Sequence, residues 1–157
     1  MRKYFLTILI CMGLTAAYGQ NDYFAFDLIS HDANDFALVK GGSALDILVD
    51  EDDYNTVLLA AELFSDDVER IAGIKPSVLH KSKDVSGTCV IIGSLQESKT
   101  IQQLVKKNKI DVTEIQGKWE ASVIEVVSNP MKGVDKALVI AGSDRRGTAY
   151  GVMELSR

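Results

Sequence analysis

A short polar loop near the end of the chain has the residue types and spacing most suggestive of chemistry. The segment GSDRRGT, residues 142–148, follows the apolar run Ala137–Ala141 and precedes a helical pattern. Strand, glycine loop and helix are the parts of a phosphate-binding loop and equally of an ordinary packed α/β unit, and Gly142 and Gly147 have the G-x-x-x-x-G spacing of the phosphate loop. That motif needs a lysine directly after the second glycine, but Thr148 stands there. The sequence therefore disfavours nucleotide binding, and we expect no cofactor.

Other catalytic and metal-binding patterns are missing from the sequence. The two histidines, His31 and His80, lack the spacings of zinc sites, and neither G-x-G-x-x-G nor G-x-S-x-G occurs. The acidic run Asp50–Asp53 lacks the alternating ligand spacing and the glycine of a calcium loop. We interpret it as a solvated turn that favours the N-terminus of the next helix. No residue is assigned a catalytic or metal-ligating role.

The composition is that of one folded domain. The 157 residues are 46% hydrophobic and 25% charged, which supplies enough apolar material for a single core. The formal net charge is −5. Nucleic acid and anionic membrane surfaces both attract clustered positive charge, so this balance argues against either as a partner.

The first 19 residues have the pattern of a signal peptide. Arg2 and Lys3 provide a basic start, Phe5–Leu14 an apolar stretch too short to span a bilayer, and Ala17 and Gly19 the small residues before a cleavage site. We expect cleavage after Gly19 and a secreted or periplasmic protein that is free of the membrane. An uncleaved membrane anchor is the alternative.

Residues 20–157 are predicted to form one α/β domain. Its one cysteine is Cys89, because Cys11 lies within the signal peptide. Cys89 stands in an apolar run with no basic neighbour in sequence, so we expect a buried, inert thiol and not a nucleophile.

The secondary structure of this domain is predicted from apolar periodicity. Residues 36–39 and 45–49 flank a glycine turn and are predicted to pair as a hairpin. A helix is predicted over residues 55–72, capped by Asp53 or Asn55 and ended by Gly73 and Pro76. Its buried face should consist of Val57, Ala61, Phe64, Val68 and Ile71.

Strands and helices alternate in the rest of the chain. The predicted elements are a strand at 77–81, a buried strand at 88–93, a short helix that Ser98 opens with Ile101, Leu104 and Val105 inward, a strand at 119–129 turned by Asn129-Pro130 and Gly133, a strand at 137–141, and a terminal helix. This order indicates an α/β (α+β) fold in which helices pack on a mixed sheet.

The last 41 residues carry a resemblance to a known family. Residues 117–157 closely resemble the end of the N-terminal domain in glycoside hydrolase family 115, the secreted xylan α-1,2-glucuronidases. The shorter pattern G-x-x-Y-G, from Gly147 to Gly151, is similar to a helix start in family 67 α-glucuronidases and family 20 β-hexosaminidases. The matching residues are Gly117–Glu120, Val126-Val127, Asn129-Pro130, Gly133-Val134, Ala137–Asp144, Arg146–Thr148 and Tyr150-Gly151.

The resemblance implies an accessory domain that precedes a (β/α)₈ barrel. It implies removal of α-1,2-linked (4-O-methyl)glucuronic acid from glucuronoxylan by inverting acid/base hydrolysis, with both catalytic carboxyl groups in a barrel beyond residue 157. The chain would then stop within its last helix. The partners implied are the polysaccharide and the chain's own barrel. The terminal helix is apolar on most sides, so self-association, for example as a homodimer, is also expected.

The resemblance also bears on the polar loop. Ser143, Asp144 and Arg146 would lie nearest to the docked barrel, where they can reach the substrate, Arg146 by pairing with the sugar carboxylate. The alternative is that all three cap the helix and hold the domain interface. Gly147 is expected to serve a tight loop conformation, so Gly147→Val should lower the melting temperature.

A second function remains open, a stand-alone secreted carbohydrate-binding or structural module. A binding module should expose a stripe of aromatic rings that stack on sugars. The chain has one Trp and five Tyr, and Tyr4 and Tyr18 would leave with the signal peptide. This sparse aromatic content favours the enzyme-domain interpretation.

Overall fold

A computed structural model describes residues 36–156 as strands and helices around one mixed sheet. The predicted signal peptide and His31 lie outside the described residues. The strands are β1 (Val39–Lys40), β2 (Ser43–Ala44), β3 (Asp46–Val49), β4 (Val78–Leu79), β5 (Gly87–Ser94), β6 (Ser122–Met131) and β7 (Val134–Gly142). The helices are α1 (Asn55–Ala72), α2 (Lys99–Lys106) and α3 (Arg145–Leu155), with a 3₁₀ turn at Ser82–Asp84.

The central sheet has five strands in the spatial order β4-β3-β5-β7-β6. The first four are parallel to one another, and β6 runs antiparallel along the edge of β7. The strands β3, β5 and β7 are continuous apolar runs because both faces of a parallel sheet must be covered. The predicted mixed α/β architecture is confirmed, and residues 36–156 contain no barrel.

Helices cover both faces of this sheet. On one face α1 and α3 pack over Ile47, Val90 and Ile140. On the other face Ile101 and Leu104 of α2 pack with Leu48 and Ile91, as the inward positions of this helix predicted. Val105 is only partly buried. The alternation of side chains along each strand thus divides the core into two clusters, one for each helical layer.

The predicted hairpin near residue 40 is only partly correct. The strands β1 and β2 do pair in antiparallel fashion, and Gly41 and Gly42 turn the chain with φ of 60° and 80°. The run at 45–49, however, becomes β3 in the middle of the main sheet. Ile47, Leu48 and Val49 are fully buried. Three consecutive buried residues need cover on both faces, which a two-stranded hairpin does not provide.

The helix α1 has the predicted bounds and ends as predicted, at Gly73 in the left-handed conformation. Val57, Ala61, Phe64 and Val68 are buried, but Ile71 is 84% exposed, so its assignment to the buried face was wrong. The 18 residues of α1 extend about 27 Å at 1.5 Å each. Its neighbour β3 has four residues, or about 13 Å. The last turn of α1 therefore extends beyond β3.

The predicted cap of α1 was also wrong. Tyr54 occupies the N-cap position and makes no side-chain hydrogen bond there. Neither Asp53 nor Asn55 is the cap. Asp53 instead accepts hydrogen bonds from Ser94 at the end of β5 and from the Tyr54 N–H, which places it in the candidate site.

The predicted turn at Asn129-Pro130 lies inside a longer strand. β6 continues to Met131, with an irregular register between Ser128 and Met131. Asn129 has φ of 49°, which marks a bulge, while Gly133 at φ of 85° makes the turn into β7. The predicted strand at 77–81 shortens to β4, and Ser98 opens α2 as predicted, its Oγ accepting a hydrogen bond from the Ile101 N–H.

Candidate functional site

The carboxyl ends of β3, β5 and β7 lie side by side at one edge of the sheet. In open α/β sheets, ligands bind outside this edge, in the crevice where successive helices turn to opposite faces. Here α1 follows β3 onto one face, and α2 follows β5 onto the other. The crevice between β3 and β5 is therefore the first place to look for a binding site.

Side chains of the protein itself fill this crevice. Asp53 is 5% exposed. Its Oδ2 accepts a hydrogen bond from the Ser94 N–H at 2.8 Å, and its Oδ1 accepts from the Ser94 hydroxyl and the Tyr54 N–H, each at 2.8 Å. Ser94 is fully buried. These three donors compensate the loss of water around the carboxylate, so Asp53 joins the end of β5 to the start of α1.

Asp50 makes an equivalent connection to α2. Its Oδ2 accepts hydrogen bonds from the Ser98 hydroxyl at 2.6 Å and the Thr100 N–H at 2.8 Å. Its Oδ1 accepts from the Thr100 hydroxyl at 2.8 Å. The interpretation of Asp50–Asp53 as a solvated turn is thus wrong for its two end residues and correct for Glu51 and Asp52, which are exposed.

The crevice has no metal-binding character. Within residues 36–156, no group of three or more His, Cys, Asp or Glu side chains is placed to hold a metal ion. Asp52 forms an ion pair with Lys99 at the surface. His80 lies within hydrogen-bonding distance of the Val49 carbonyl oxygen, at 3.0 Å from its Nδ1.

The structure brings Ser143, Asp144 and Arg146 together where β7 leads into α3: Ser143 and Asp144 form the connection, and Arg146 is the second residue of α3. Asp144 is the N-cap of α3, and its Oδ1 accepts hydrogen bonds from the N–H groups of Arg146 and Gly147, each at 2.8 Å. Its Oδ2 accepts from the Glu120 N–H at 3.1 Å. These hydrogen bonds, that from Gly147 foremost, hold the pKa of Asp144 below its ordinary value.

The other two predicted site residues connect the loop to the segment that leads into β6. The Ser143 N–H donates to the carbonyl of Ala121 at 2.8 Å, and the Ser143 hydroxyl accepts from the Ala121 N–H at 3.1 Å. Arg146 forms an ion pair with Glu120, with 2.6 Å between Nη1 and Oε1. The alternative interpretation predicted that these residues cap the helix, and Asp144 does so.

The glycines of the loop have a packing role. Gly147 lies inside α3, outside the left-handed region of φ, so the expected tight loop conformation is not its reason. A Cβ at this position would lie 2.9 Å from the backbone nitrogen of Ala121 and closer still to its carbonyl oxygen. A Cβ on Gly142 would likewise meet the backbone of Thr148. The spacing that resembles a phosphate loop thus permits two close backbone approaches.

The N-terminus of α3 also differs from a phosphate cradle. The N–H groups of Arg146 and Gly147, which would bind phosphate oxygens, already donate to Asp144. The Thr148 N–H donates to the Asp144 carbonyl. Because a side chain of the protein occupies this position, the disfavoured nucleotide interpretation has no geometric support.

An open depression of about 470 Å³ lies beside this loop. Trp119 is 82% exposed at its rim. The Tyr54 hydroxyl donates to Gln96 Oε1 at 2.8 Å, and the guanidinium carbon of Arg145 lies 6.0 Å from the Tyr54 ring centre. The lining residues are Tyr54, Gln96, Trp119, Asp144, Arg145 and Arg146.

The sequence analysis missed most of this depression. Trp119 was placed only in a predicted strand and in a family pattern, and Tyr54, Gln96 and Arg145 were not selected at all. A usable signal was present, because Tyr54 directly follows the acidic run and Gln96 lies two residues after β5. Parallel neighbours bring such positions to one edge of the sheet.

Cys89 lies in β5 and takes no part in either region. It is a buried free thiol, and burial raises its pKa to about 12, with a smaller contribution from Asp46. A thiol in this state is protonated at neutral pH and is a poor nucleophile. Among the described residues, no helix is both long and apolar enough to cross a membrane.

Comparison with known proteins gives an informative similarity among the solved structures. No protein-family model and no curated protein matches the chain. A solved structure does match, a family 115 4-O-methyl-α-glucuronidase named BtGH115A, with specificity for decorated arabinogalactans. The two share 26% sequence identity with a TM-score of 0.60, and the match covers 76% of this chain and 14% of the other. The chain is therefore related in fold to a family 115 glycoside hydrolase and spans a small part of its length.

Proposed function

We propose that this chain is the N-terminal accessory domain of an exported glycoside hydrolase that removes α-linked (4-O-methyl)glucuronic acid from a plant polysaccharide. The observation that supports the proposal most is the 26% identity with an α-glucuronidase over 76% of this chain. It agrees in family with the independent resemblance of residues 117–157. A fold alone does not fix an activity, so the proposal depends on this shared sequence as well as on the architecture.

Catalysis belongs to a barrel downstream of this domain. In an inverting mechanism one carboxylic acid protonates the leaving oxygen, while a carboxylate activates water on the opposite face of the sugar. In a (β/α)₈ barrel such groups stand at the carboxyl ends of the barrel strands. The domain described here contributes the surface against which that barrel docks, and the loop at 142–148 lies at the docking edge.

One of the three residues predicted to reach the substrate retains that capacity. The carboxylate of Asp144 is occupied by three backbone N–H groups, and Ser143 is buried against Ala121. Arg146 uses its Nη1 for Glu120, yet its side chain is 56% exposed. A guanidinium has five N–H donors, so Arg146 can pair with a second carboxylate.

The polysaccharide backbone is a separate part of the proposal. The family resemblance indicates glucuronoxylan, whereas the matched structure has specificity for decorated arabinogalactans. Both alternatives keep glucuronic acid as the sugar released. We therefore expect release of this sugar to be the invariant property and the backbone to be the variable one.

The decisive assay measures free 4-O-methylglucuronic acid. The protein encoded by the whole open reading frame is incubated with glucuronoxylan and, separately, with glucuronic-acid-bearing arabinogalactan; release from either is expected. The 157-residue chain assayed in parallel should release none. If the longer protein releases no glucuronic acid from either substrate, the assignment to α-glucuronidases is refuted. If the 157-residue chain releases it, the accessory role is refuted.

Export is tested on the same protein. N-terminal sequencing of the secreted or periplasmic product should begin at Gln20, since Ala17 and Gly19 precede the expected cleavage site. A membrane-held product that begins at Met1 would contradict export with cleavage and support the membrane anchor.

The second candidate function, a stand-alone carbohydrate-binding module, is favoured by one observation, the exposed ring of Trp119 at the rim of a depression. The coding DNA beyond codon 157 separates the two candidates. An open frame of several hundred codons supports the enzyme, and an immediate stop supports the module.

A further inference from the structure

The open depression is lined by two aromatic side chains, Tyr54 and Trp119. Trp119 is 82% exposed, and Tyr54, which lines the same depression, donates a hydrogen bond from its hydroxyl to Gln96. A single exposed apolar side chain is ordinary on protein surfaces. Two rings that line one concavity of about 470 Å³ are less ordinary, because that volume falls within the usual range of ligand sites.

Arg145 gives this depression an available positive charge. Within residues 36–156 it forms no ion pair, and its guanidinium lies 6.0 Å from the Tyr54 ring centre. Its neighbour Arg146 is paired with Glu120 at 2.6 Å. Asp144 has both carboxylate oxygens occupied by backbone N–H groups. Arg145 is therefore a cation of this surface with all of its hydrogen-bond donors open to a ligand, whereas Arg146 already uses its Nη1 for Glu120.

We propose that the depression between Tyr54, Gln96, Trp119 and Arg145 is a binding subsite for a uronic acid. The apolar face of the pyranose ring stacks on the Trp119 indole, and its carboxylate pairs with the Arg145 guanidinium through two parallel hydrogen bonds. Gln96 accepts from Tyr54 through Oε1, which leaves its amide N–H donors for a sugar hydroxyl. The choice of a uronic acid among carboxylates rests on the proposed function.

The charges around the depression favour a monoanion over a phosphate. Asp144 contributes a carboxylate to the lining, and Glu97 lies close outside it, 3.5 Å from the Tyr54 hydroxyl. Both would repel a dianion more strongly than a single carboxylate. The N-terminus of α3 gives a phosphate no help, because Asp144 caps it. An acidic peptide would satisfy Arg145 but would leave the indole of Trp119 without a ring-shaped partner.

The single Trp of the 157-residue chain makes the subsite directly observable. Sodium glucuronate is titrated while Trp119 fluorescence is recorded, with glucose as the neutral control of the same ring size. We expect a saturable change with glucuronate and a response at least fivefold weaker with glucose. Raised salt should weaken glucuronate binding, because the ion pair is exposed to solvent.

Substitutions then identify the residue that recognises the carboxylate. Arg145→Ala should weaken glucuronate binding about tenfold, as expected for the loss of a charge-assisted pair. Arg145→Lys should bind glucuronate with an affinity between those of Arg145→Ala and the unchanged protein, because lysine keeps the charge but lacks the planar guanidinium. Arg70→Ala is the matched control, an exposed arginine on α1 that is paired with Asp67, and should bind as the unchanged protein does. Circular dichroism and melting temperature verify that each variant is folded.

Three results would overturn the subsite: no response to glucuronate, an equal response to glucose, or unchanged binding in Arg145→Ala. Poly-glutamate serves as the probe for the alternative. If it binds and loses affinity in Arg145→Ala while glucuronate does not bind, the surface recognises an acidic polypeptide and the proposal fails. These outcomes are independent of the release assay, so failure of the subsite and failure of the proposed glycosidase are distinguishable.

Discussion

The two regions at the carboxyl edge of the sheet differ in how their polar groups are satisfied. In the crevice between β3 and β5, Asp50 and Asp53 each accept three hydrogen bonds from the protein. In the depression beside it, Arg145 has no carboxylate partner among the described residues, and Trp119 stands largely in water. In this protein, hydrogen bonds between its own side chains and backbone occupy the crevice that α/β sheets commonly use for ligands, and the proposed subsite lies in the neighbouring loops.

The difference follows from which residues come after each strand. Ser94, Ser98 and Thr100 present hydroxyl donors to the two carboxylates that follow β3. These carboxylate oxygens all have hydrogen-bond donors within the protein, so the hydrogen bonding of the crevice is satisfied without a ligand. Stability and binding should therefore separate: changes in the crevice should cost folding free energy, while changes in the depression should cost little.

The largest effect on stability is expected from Asp53→Ala. The substitution leaves the buried N–H and hydroxyl of Ser94 without their acceptor, which should lower the free energy of unfolding by about 3 kcal/mol. Urea denaturation measures the change. Asp52→Ala, an exposed neighbour in the same run, is the control and should shift stability by less than about 0.5 kcal/mol. Equal effects of the two variants would contradict the closed crevice.

A somewhat smaller effect is expected from Gly147→Ala. Alanine favours helices over glycine, but its Cβ would collide with the backbone of Ala121, so we expect a net loss of about 2 kcal/mol. Gly151→Ala is the matched control in the same helix. Its Cβ would meet side-chain atoms of Ile140 and Ser122, which can move more easily than backbone. The melting temperature of Gly147→Ala should therefore be lower than that of Gly151→Ala. The reverse order would contradict the idea that Gly147 is required for close packing against Ala121.

Loss of the α3 cap should have a smaller, pH-dependent effect. Asp144→Ala should cost about 1 kcal/mol at pH 7. Because hydrogen bonds to the carboxylate lower the pKa of Asp144 in the folded state, its contribution is complete above the ordinary pKa and disappears as the pH falls through the lowered value. Denaturation at a series of pH values should show the two proteins converging in acid, below about pH 4. A constant difference across that range would mean that the carboxylate charge does not stabilise the helix.

The elements most easily predicted from the sequence were those whose pattern is set by local burial. The bounds of α1 follow from its apolar period and from Gly73, and β5 follows from a continuous apolar run. The segment at 45–49 was misassigned because a glycine turn precedes it, and pairing with distant β5 outweighed that local signal. Ile71 matches the period of α1 but lies beyond the short β3, which periodicity does not reveal.

The candidate site was predictable only in part, for a similar reason. Ser143, Asp144 and Arg146 were found because strand, loop and helix stand together in sequence. The partners of these residues, Glu120 and Ala121, come from the segment before β6 and meet the loop only through the antiparallel pairing of β6 with β7. The role of Asp53 depends on β5, 41 residues away in sequence. Contacts of this kind require the strand order, which no local pattern contains.

The smallest effect on stability is expected at the rim of the depression, where Trp119→Ala should change the free energy of unfolding by less than about 0.5 kcal/mol, since the side chain is 82% exposed. The same exposure predicts that Trp119 fluoresces near the wavelength of free tryptophan in water and is quenched readily by iodide. Because it is the only Trp of the chain, both signals report on it alone. A blue-shifted emission with weak quenching would mean that the indole is covered in solution. If dilution shifted the emission back to that of a solvated indole, a second copy of the chain would be covering Trp119. The depression would then be closed in solution, and its contrast with the crevice would not hold.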